Sequence, residues 1–171
     1  MALQHANNLV SEKFFLAVSN GSVASLKEIV AENEPDVVAE IVQSKNSQGE
    51  TPLLVTIREQ HFEMVKYLVD DLKADIGQMG LVCNGLTNMT LPPLFAAINY
   101  YSSTPTKRYF QIAIYLMDQD AVKESSVVLN SVKSSSIPLQ EKMDILKFIG
   151  ATHVLTPKEE DDSRFLFGKI C

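Results

Sequence analysis

The 171-residue sequence has little of what marks several protein classes. Its two cysteines, Cys83 and Cys171, are too few for the disulfide framework of a small secreted domain, so we expect a cytoplasmic or nuclear location. No basic segment followed by an apolar one begins the chain, and we therefore expect no secretory signal. The longest apolar runs, such as residues 112–117, are far shorter than the roughly 20 residues that span a membrane. We expect no membrane partner.

Basic residues are also scarce. Lys and Arg number 15 against 21 Asp and Glu, for a net charge of −6. Binding to nucleic acid depends on clustered Lys and Arg, so this balance argues against a nucleic-acid partner. It favours, modestly, a partner with a basic segment.

The motifs of common active sites are missing as well. The seven glycines form no phosphate-binding pattern, and His5, His61 and His153 have no metal-ligand spacing. We therefore predict no catalytic residues, no metal site, no cofactor and no enzymatic activity. With 46% hydrophobic and 21% charged residues, the composition is that of one ordinary globular domain.

What the sequence does contain is a repeat. The clearest copy runs from Gly49 through Thr51-Pro52 to Asp75, with a second apolar stretch at residues 62–69. Thr51 is suited to cap a helix that begins at Pro52, and the later apolar residues recur at helical spacing. Each copy is therefore predicted to be a pair of short helices joined by a turn.

Shifted self-comparison finds further copies. A shift of 39 residues aligns Phe14 with Leu53, and Gly21 with Gln60 at the predicted turn between the helices. A shift of 41 residues aligns Pro93 with Pro52, but seven more residues are needed before the second helices align. We place these seven in a lengthened loop at residues 101–108. A degenerate copy is predicted to end near residue 151.

These copies resemble ankyrin repeats, whose pattern is Gly-x-Thr-Pro-Leu-His, a short helix, a tight turn and a second helix. The resemblance implies an all-α solenoid of stacked helix pairs, with units at 11–45, 46–80, 88–120 and 121–155. A long loop, residues 76–90, separates the second and third units, and a capping helix is expected at 156–170. Because terminal units of a solenoid need polar outer faces, residues 1–13 and the charged cluster 158–164 are expected to supply them.

The long loop and the Pro-Pro-Leu that follows it are similar to the N-terminal domain of the FEM-1 family. The similar segments are Thr51-Pro-Leu-Leu54, Met64-Val65 with Tyr67-Leu68, Ala74-Asp75-Ile76, Cys83-Asn-Gly-Leu-Thr87, Pro92-Pro-Leu-Phe-Ala-Ala97 and Asp144-Ile-Leu-Lys-Phe-Ile-Gly-Ala-Thr152. The resemblance implies a substrate receptor of a cullin ubiquitin ligase that captures a C-terminal tail, typically arginine-bearing, on its concave face. The chain has fewer repeats than that family and no evident cullin-binding box, so it resembles an abbreviated relative or a fragment. The alternative is a regulatory or competitor ankyrin protein without a ligase connection, acting through oligomerisation or scaffolding.

The repeat register predicts which residues line the concave face and bind a peptide. They are Glu50, Leu54, Arg58, Asn84, Phe95, Asn99 and Tyr100. Asn84 takes the position where the FEM-1 family has an acidic residue, and an amide lacks the charge for strong arginine pairing. Asn84-Gly85 is also read as a tight turn in a hairpin. We expect Phe95 to be packed and at least one of Tyr100 and Tyr101 to be exposed.

Two other residues admit a functional and a structural interpretation. Cys83 is either a reactive thiol or, the favoured interpretation, a partly buried loop cysteine without a basic neighbour to lower its pKa. His61 is interpreted as a hydrogen-bonded residue at the turn between two helices.

Overall fold

The structure, a computed structural model, describes residues 2–83, 88–119 and 140. This part of the chain contains seven α-helices and one two-stranded sheet. The fifth helix continues as one turn of π-helix, Tyr67–Asp71. The helices are α1 Ala2–Ser19, α2 Val23–Glu32, α3 Pro35–Gln43, α4 Pro52–Arg58, α5 Phe62–Lys66, α6 Pro93–Ser103 and α7 Lys107–Asp118.

Six of these helices form three stacked pairs. Within the pairs, α1 packs on α2, α4 on α5, and α6 on α7. Between them, α4 contacts both α1 and α6, so the first helices form one row, and α5 contacts α7 in the second row. A continuous apolar core runs through all three pairs, from Phe14 through Leu53 to Leu94. The units are therefore thin layers, each stabilised by its neighbours.

Thr51 and Thr106 cap the helices that follow them. The Thr51 hydroxyl accepts a hydrogen bond from the Leu54 amide at 3.2 Å, and Pro52 occupies the first turn of α4. Thr106 accepts from the Tyr109 amide at 3.3 Å. The capping predicted at Thr51-Pro52 is thus present.

The turns of the first two units share a left-handed residue at the aligned position. Gly21 has φ +67° and Gln60 has φ 61°. Glycine adopts this conformation without penalty, whereas a residue with a Cβ pays a steric cost. The predicted register between Gly21 and Gln60 therefore coincides with the actual turn, although Gln60 occupies it under strain.

The first unit contains a helix that the repeat pattern did not predict. Helix α3 inserts between α2 and the loop leading to α4, and it buries Val38, Ile41 and Val42 against α1 and α4. These residues follow the i, i+3, i+4 spacing of a helical face, and Pro35 marks the helix start. Helix α3 accounts for the wider 39-residue spacing between the first two units.

The long loop between the second and third units folds into a hairpin. Strand β1, Gly80–Cys83, pairs antiparallel with β2, Asn88–Leu91. The Leu81 amide also donates to the Gly49 carbonyl at 2.9 Å, which joins the hairpin to the loop before α4. A Cβ on Gly80 would lie 2.5 Å from Leu54 Cδ1 and 3.0 Å from the Gly49 carbonyl oxygen, so a larger residue here would require the Leu54 side chain to shift. The predicted turn Asn84-Gly85 lies outside the described residues.

The prediction of a lengthened loop at 101–108 is wrong. The connection between α6 and α7 is only three residues, the same length as the one between α4 and α5. The extra residues instead add one turn to the end of α6 and one to the start of α7. Aromatic pairs close the extension: Tyr100 stacks on Tyr109 at 5.6 Å, and Tyr101 packs against Phe110 at 5.9 Å.

Several predictions fall outside the described residues. They are the degenerate unit 121–155, of which the structure describes only residue 140, the capping helix 156–170 and the charged cluster 158–164. The first helix begins at Ala2, nine residues before the predicted start of the first unit. Within the described part of the chain, no helix has the length and apolarity needed to cross a membrane.

Candidate functional site

Of the predicted peptide-binding residues of the second unit, Leu54 and Arg58 lie in α4 and Glu50 lies just before it. Leu54 and Arg58 are four residues apart, which places them on one side of the helix, and an ion pair joins Glu50 to Arg58. Leu54 is 1% exposed and Glu50 is 4% exposed. Arg58, at the end of the helix, keeps about a third of its side chain in solvent (34%).

Glu50 and Arg58 form an ion pair along this face. Arg58 Nε donates to Glu50 Oε1 at 2.8 Å, and a second guanidinium nitrogen donates to Oε2 at 3.2 Å. Asn46 Nδ2 also donates to Oε2, at 3.0 Å, and Arg58 pairs with Glu59 as well. Glu50 is therefore already satisfied within the chain, and its charge is compensated before any ligand arrives.

The surroundings shift the pKa values of Arg58 and Tyr100. Burial lowers the pKa of Arg58, but the hydrogen bond and charge of Glu50, aided by Glu59, outweigh burial, and the net pKa is raised. Burial, followed by the charge of Glu50, raises the pKa of Tyr100 to about 12. Arg58 thus stays cationic and Tyr100 stays neutral at any physiological pH.

The predicted residues of the third unit are mostly packed. Phe95 is 6% exposed, as expected, and Asn99 is half-buried. The expectation that Tyr100 or Tyr101 is exposed is wrong, because both are buried in the aromatic contacts that join the lengthened helices. Asn84 lies outside the described residues. Of the described members of the predicted set, Arg58 and Asn99 have the most contact with solvent.

An open cleft that the repeat register does not predict lies beside the predicted row, against the first unit. It has a volume of about 520 Å³ and separates α1 from the loop before α4. Its α1 side includes Phe15, which is the register equivalent of Leu54 and is only half-buried. Its lining is Asn8, Ser11, Glu12, Phe15, Leu16, Lys45, Asn46 and Ser47.

The cleft is lined by both apolar and polar side chains. Phe15 and Leu16 are the apolar ones; Phe15 is half-buried and Leu16 is 62% exposed. Glu12 on α1 and Lys45 on the facing loop are both exposed, so the cleft offers one acidic and one basic group. Such a surface suits a polypeptide segment with an apolar side chain and charges of both signs.

Contacts between neighbouring turns fix the units in register. A ring nitrogen of His61 lies 2.9 Å from the Ser19 carbonyl, and the ring packs over Gly21. The interpretation of His61 as a hydrogen-bonded turn residue is confirmed. One unit further, Thr106 donates to Gln60 Oε1 at 2.7 Å, and the Tyr109 hydroxyl donates to the Arg58 carbonyl at 2.9 Å.

Cys83 differs from its favoured interpretation, because it is exposed at the end of β1.

The geometry is thus a stack of three helix pairs with short turns, and a hairpin joined to the adjacent loop. A family model for ankyrin repeats, in three copies, matches residues 14–126, about two thirds of the chain.

The chain belongs to the ankyrin-repeat family. The match begins in α1 and includes all three helix pairs, which explains why the first helices and the second helices form separate rows. A comparison with curated proteins gives no match. Membership of the FEM-1 family therefore stays a prediction.

Ankyrin repeats are protein-interaction modules, so this chain is a module of that kind. An ankyrin stack presents an extended concave surface built from equivalent positions of successive units. In this chain, the Glu50–Arg58 ion pair lies at the predicted row, and the cleft lies beside α1.

Proposed function

We propose that the chain captures an extended protein segment in the cleft between α1 and the loop before α4. The observation that carries the proposal is the cleft itself: it has a volume of about 520 Å³ and is lined by the apolar Phe15 and Leu16 and by hydrogen-bonding side chains. A volume of this order is typical of ligand sites in proteins. Arg58 and Asn99 extend the surface toward the third unit.

The sequence resemblance to the FEM-1 family favours a C-terminal tail as the captured segment. A tail ending in a basic residue presents a cationic side chain and an α-carboxylate close together. Glu12 and Lys45, which both line the cleft, offer charges of the opposite signs. The net charge of −6 adds long-range attraction for such a tail and speeds its association.

A peptide screen tests the capture of a segment. Peptides that differ in their last residues, each with a free or an amidated C-terminus, are titrated against the purified chain. We expect basic tails with a free carboxylate to bind, Lys45→Ala to abolish the preference for the free carboxylate, and Glu12→Gln to abolish the preference for a basic residue.

A steric variant tests the location. Ser47→Trp fills the cleft and should weaken peptide binding about tenfold or more, which corresponds to roughly 1.4 kcal/mol. The matched control is Ala24→Trp, at an exposed position on α2 in the second row of helices. Equal binding by both variants would place the peptide elsewhere, and the absence of binding by any tail would reject the proposal.

The ligase role is the finer part of the proposal, and the FEM-1 resemblance alone supports it. Co-precipitation of the full chain with a cullin and elongin pair is the test. Recovery of the pair supports a substrate receptor. Its absence, together with peptide binding, favours the alternative of a competitor that holds tails without a ligase.

A further inference from the structure

The outer face of α1 carries an apolar stripe that no other described element covers. Leu9 is 54% exposed and Leu16 is 62% exposed, and they lie seven residues apart, two turns along one side of the helix. Single exposed leucines are common on protein surfaces. What distinguishes Leu16 is its place in the repeat register.

Leu16 occupies the position that the other units use for packing in the stack. The shift of 39 residues aligns it with Val55, and a further 41 aligns Val55 with Ala96. Val55 is 2% exposed and Ala96 is fully buried, at 0%. The same position is therefore part of the packed interior in the second and third units and open in the first.

In a solenoid, each layer buries its apolar side against a neighbour. At Leu16 the described residues supply no such neighbour, so the first unit leaves an apolar stacking position open. A helix is the element that completes such a surface.

The charged residues on either side of the stripe indicate which helix packs against it. Glu12 and Lys13 are both exposed and lie on opposite flanks of the line between Leu9 and Leu16, because successive residues advance about 100° around a helix. If a two-fold axis runs parallel to the helix, Glu12 of each copy faces Lys13 of the other, and each leucine meets its own equivalent. In an antiparallel pair, like charges would face each other.

We propose that the Leu9–Leu16 stripe is a dimerisation surface on which α1 of a second copy packs in parallel. The contact is isologous, with the same patch used on both chains, as in most homodimers. Leu16 and Glu12 also line the cleft. A second copy and a ligand in the cleft therefore exclude one another, and this corollary alone depends on the proposed function.

Sedimentation equilibrium of the full chain, without any ligand, tests the dimer. We expect the average mass to rise with concentration from that of one chain toward that of two. Leu16→Glu should hold the chain in the monomeric form, whereas Met79→Glu, at a position that is also half exposed (50%) but distant from α1 in sequence, should associate like the wild type. Circular dichroism verifies that each variant is folded.

Charge exchange tests the parallel arrangement. Glu12→Lys alone should raise the dimer dissociation constant several-fold, and adding Lys13→Glu should restore it. A wild-type chain that stays monomeric at its highest soluble concentration would overturn the proposal. Dimerisation that persists in Leu16→Glu would also overturn it. The same holds if the double variant, Glu12→Lys with Lys13→Glu, fails to restore the wild-type dissociation constant. Peptide binding plays no part in these measurements, so the proposed function stands or fails separately.

Discussion

Substituting Gly21 with alanine should destabilise the stack through two separate effects. Gly21 has φ +67°, and a left-handed residue with a Cβ costs about 1–2 kcal/mol. A Cβ there would also lie 2.6 Å from Nδ1 of the His61 ring. The ring must move, and it then loses its contact with the Ser19 carbonyl at 2.9 Å. A hydrogen bond of this kind contributes about 1 kcal/mol, so the total loss is about 2–3 kcal/mol.

A double-mutant cycle separates these effects. Urea unfolding followed by circular dichroism gives the free energy of unfolding of the wild type, Gly21→Ala, His61→Ala and the double variant. Without the ring, Gly21→Ala should cost only the backbone contribution of about 1–2 kcal/mol, which leaves a coupling energy of about 1 kcal/mol. If the stability losses of the two single variants sum to the loss of the double variant, the ring does not lie over Gly21. A cost below about 0.5 kcal/mol for Gly21→Ala would refute the left-handed turn itself.

Three further predictions concern other parts of the stack. Arg58→Met leaves Glu50, which is 4% exposed, without its cation, and should lower the free energy of unfolding in urea by about 3 kcal/mol. Glu50→Gln should lower it by only about 1–2 kcal/mol. Equal losses would contradict the burial of Glu50. Lys73 is exposed and has φ 56° just after the π-helical turn. Because glycine adopts this conformation without penalty, Lys73→Gly should raise the free energy of unfolding by up to about 1 kcal/mol. A lower free energy of unfolding would contradict the left-handed conformation at this position. The pKa of Tyr100 is raised to about 12 in the folded chain, so the unfolded chain loses the phenol proton at lower pH. The free energy of unfolding should therefore fall as pH rises from 10 to 12. It should fall less steeply in Tyr100→Phe, and an equal slope would contradict the raised pKa.

The sequence predicted the parts of the fold that depend on local chemistry. Thr51 followed by Pro52 signals a helix start wherever it occurs, and the Thr51 cap is present. The glycine at position 21 aligned with the turn position of the second unit, because both residues are left-handed there. Apolar periodicity likewise identified the two helices of each unit.

The sequence was less informative where an insertion had two possible outcomes. Seven extra residues with Ser, Thr and Pro near Tyr101 suggested a loop, but aromatic pairing between α6 and α7 made longer helices the better solution. Helix α3 has no counterpart in the other described units, so the repeat pattern does not predict it. Its own signal, Pro35 followed by Val38, Ile41 and Val42, was present in the sequence.

For the candidate site, the register predicts a face and not which of its residues are covered. The structure pairs two of the predicted residues, Glu50 and Arg58, but the register carries no information on the burial of Glu50 and Leu54. Burial depends on contacts between distant parts of the chain, such as Asn46 and Arg58 on Glu50. The cleft arises in the same way, from the separation of α1 and the loop at residues 45–47.

The additional turns of α6 and α7 have a consequence for the order in which the stack opens. They carry the third unit about one helical turn, roughly 5 Å, past the end of α4, where Tyr109 binds the Arg58 carbonyl and Thr106 binds Gln60. The turn of the second unit is therefore held by side chains of the third, while the turn of the first is held by the His61 ring. Amide exchange should be slower around Gln60 than around Gly21, and the second turn should open only when the third unit undocks. The additional turns thus couple the opening of the second unit to that of the third, and they leave the first unit, with its cleft, freer to open separately.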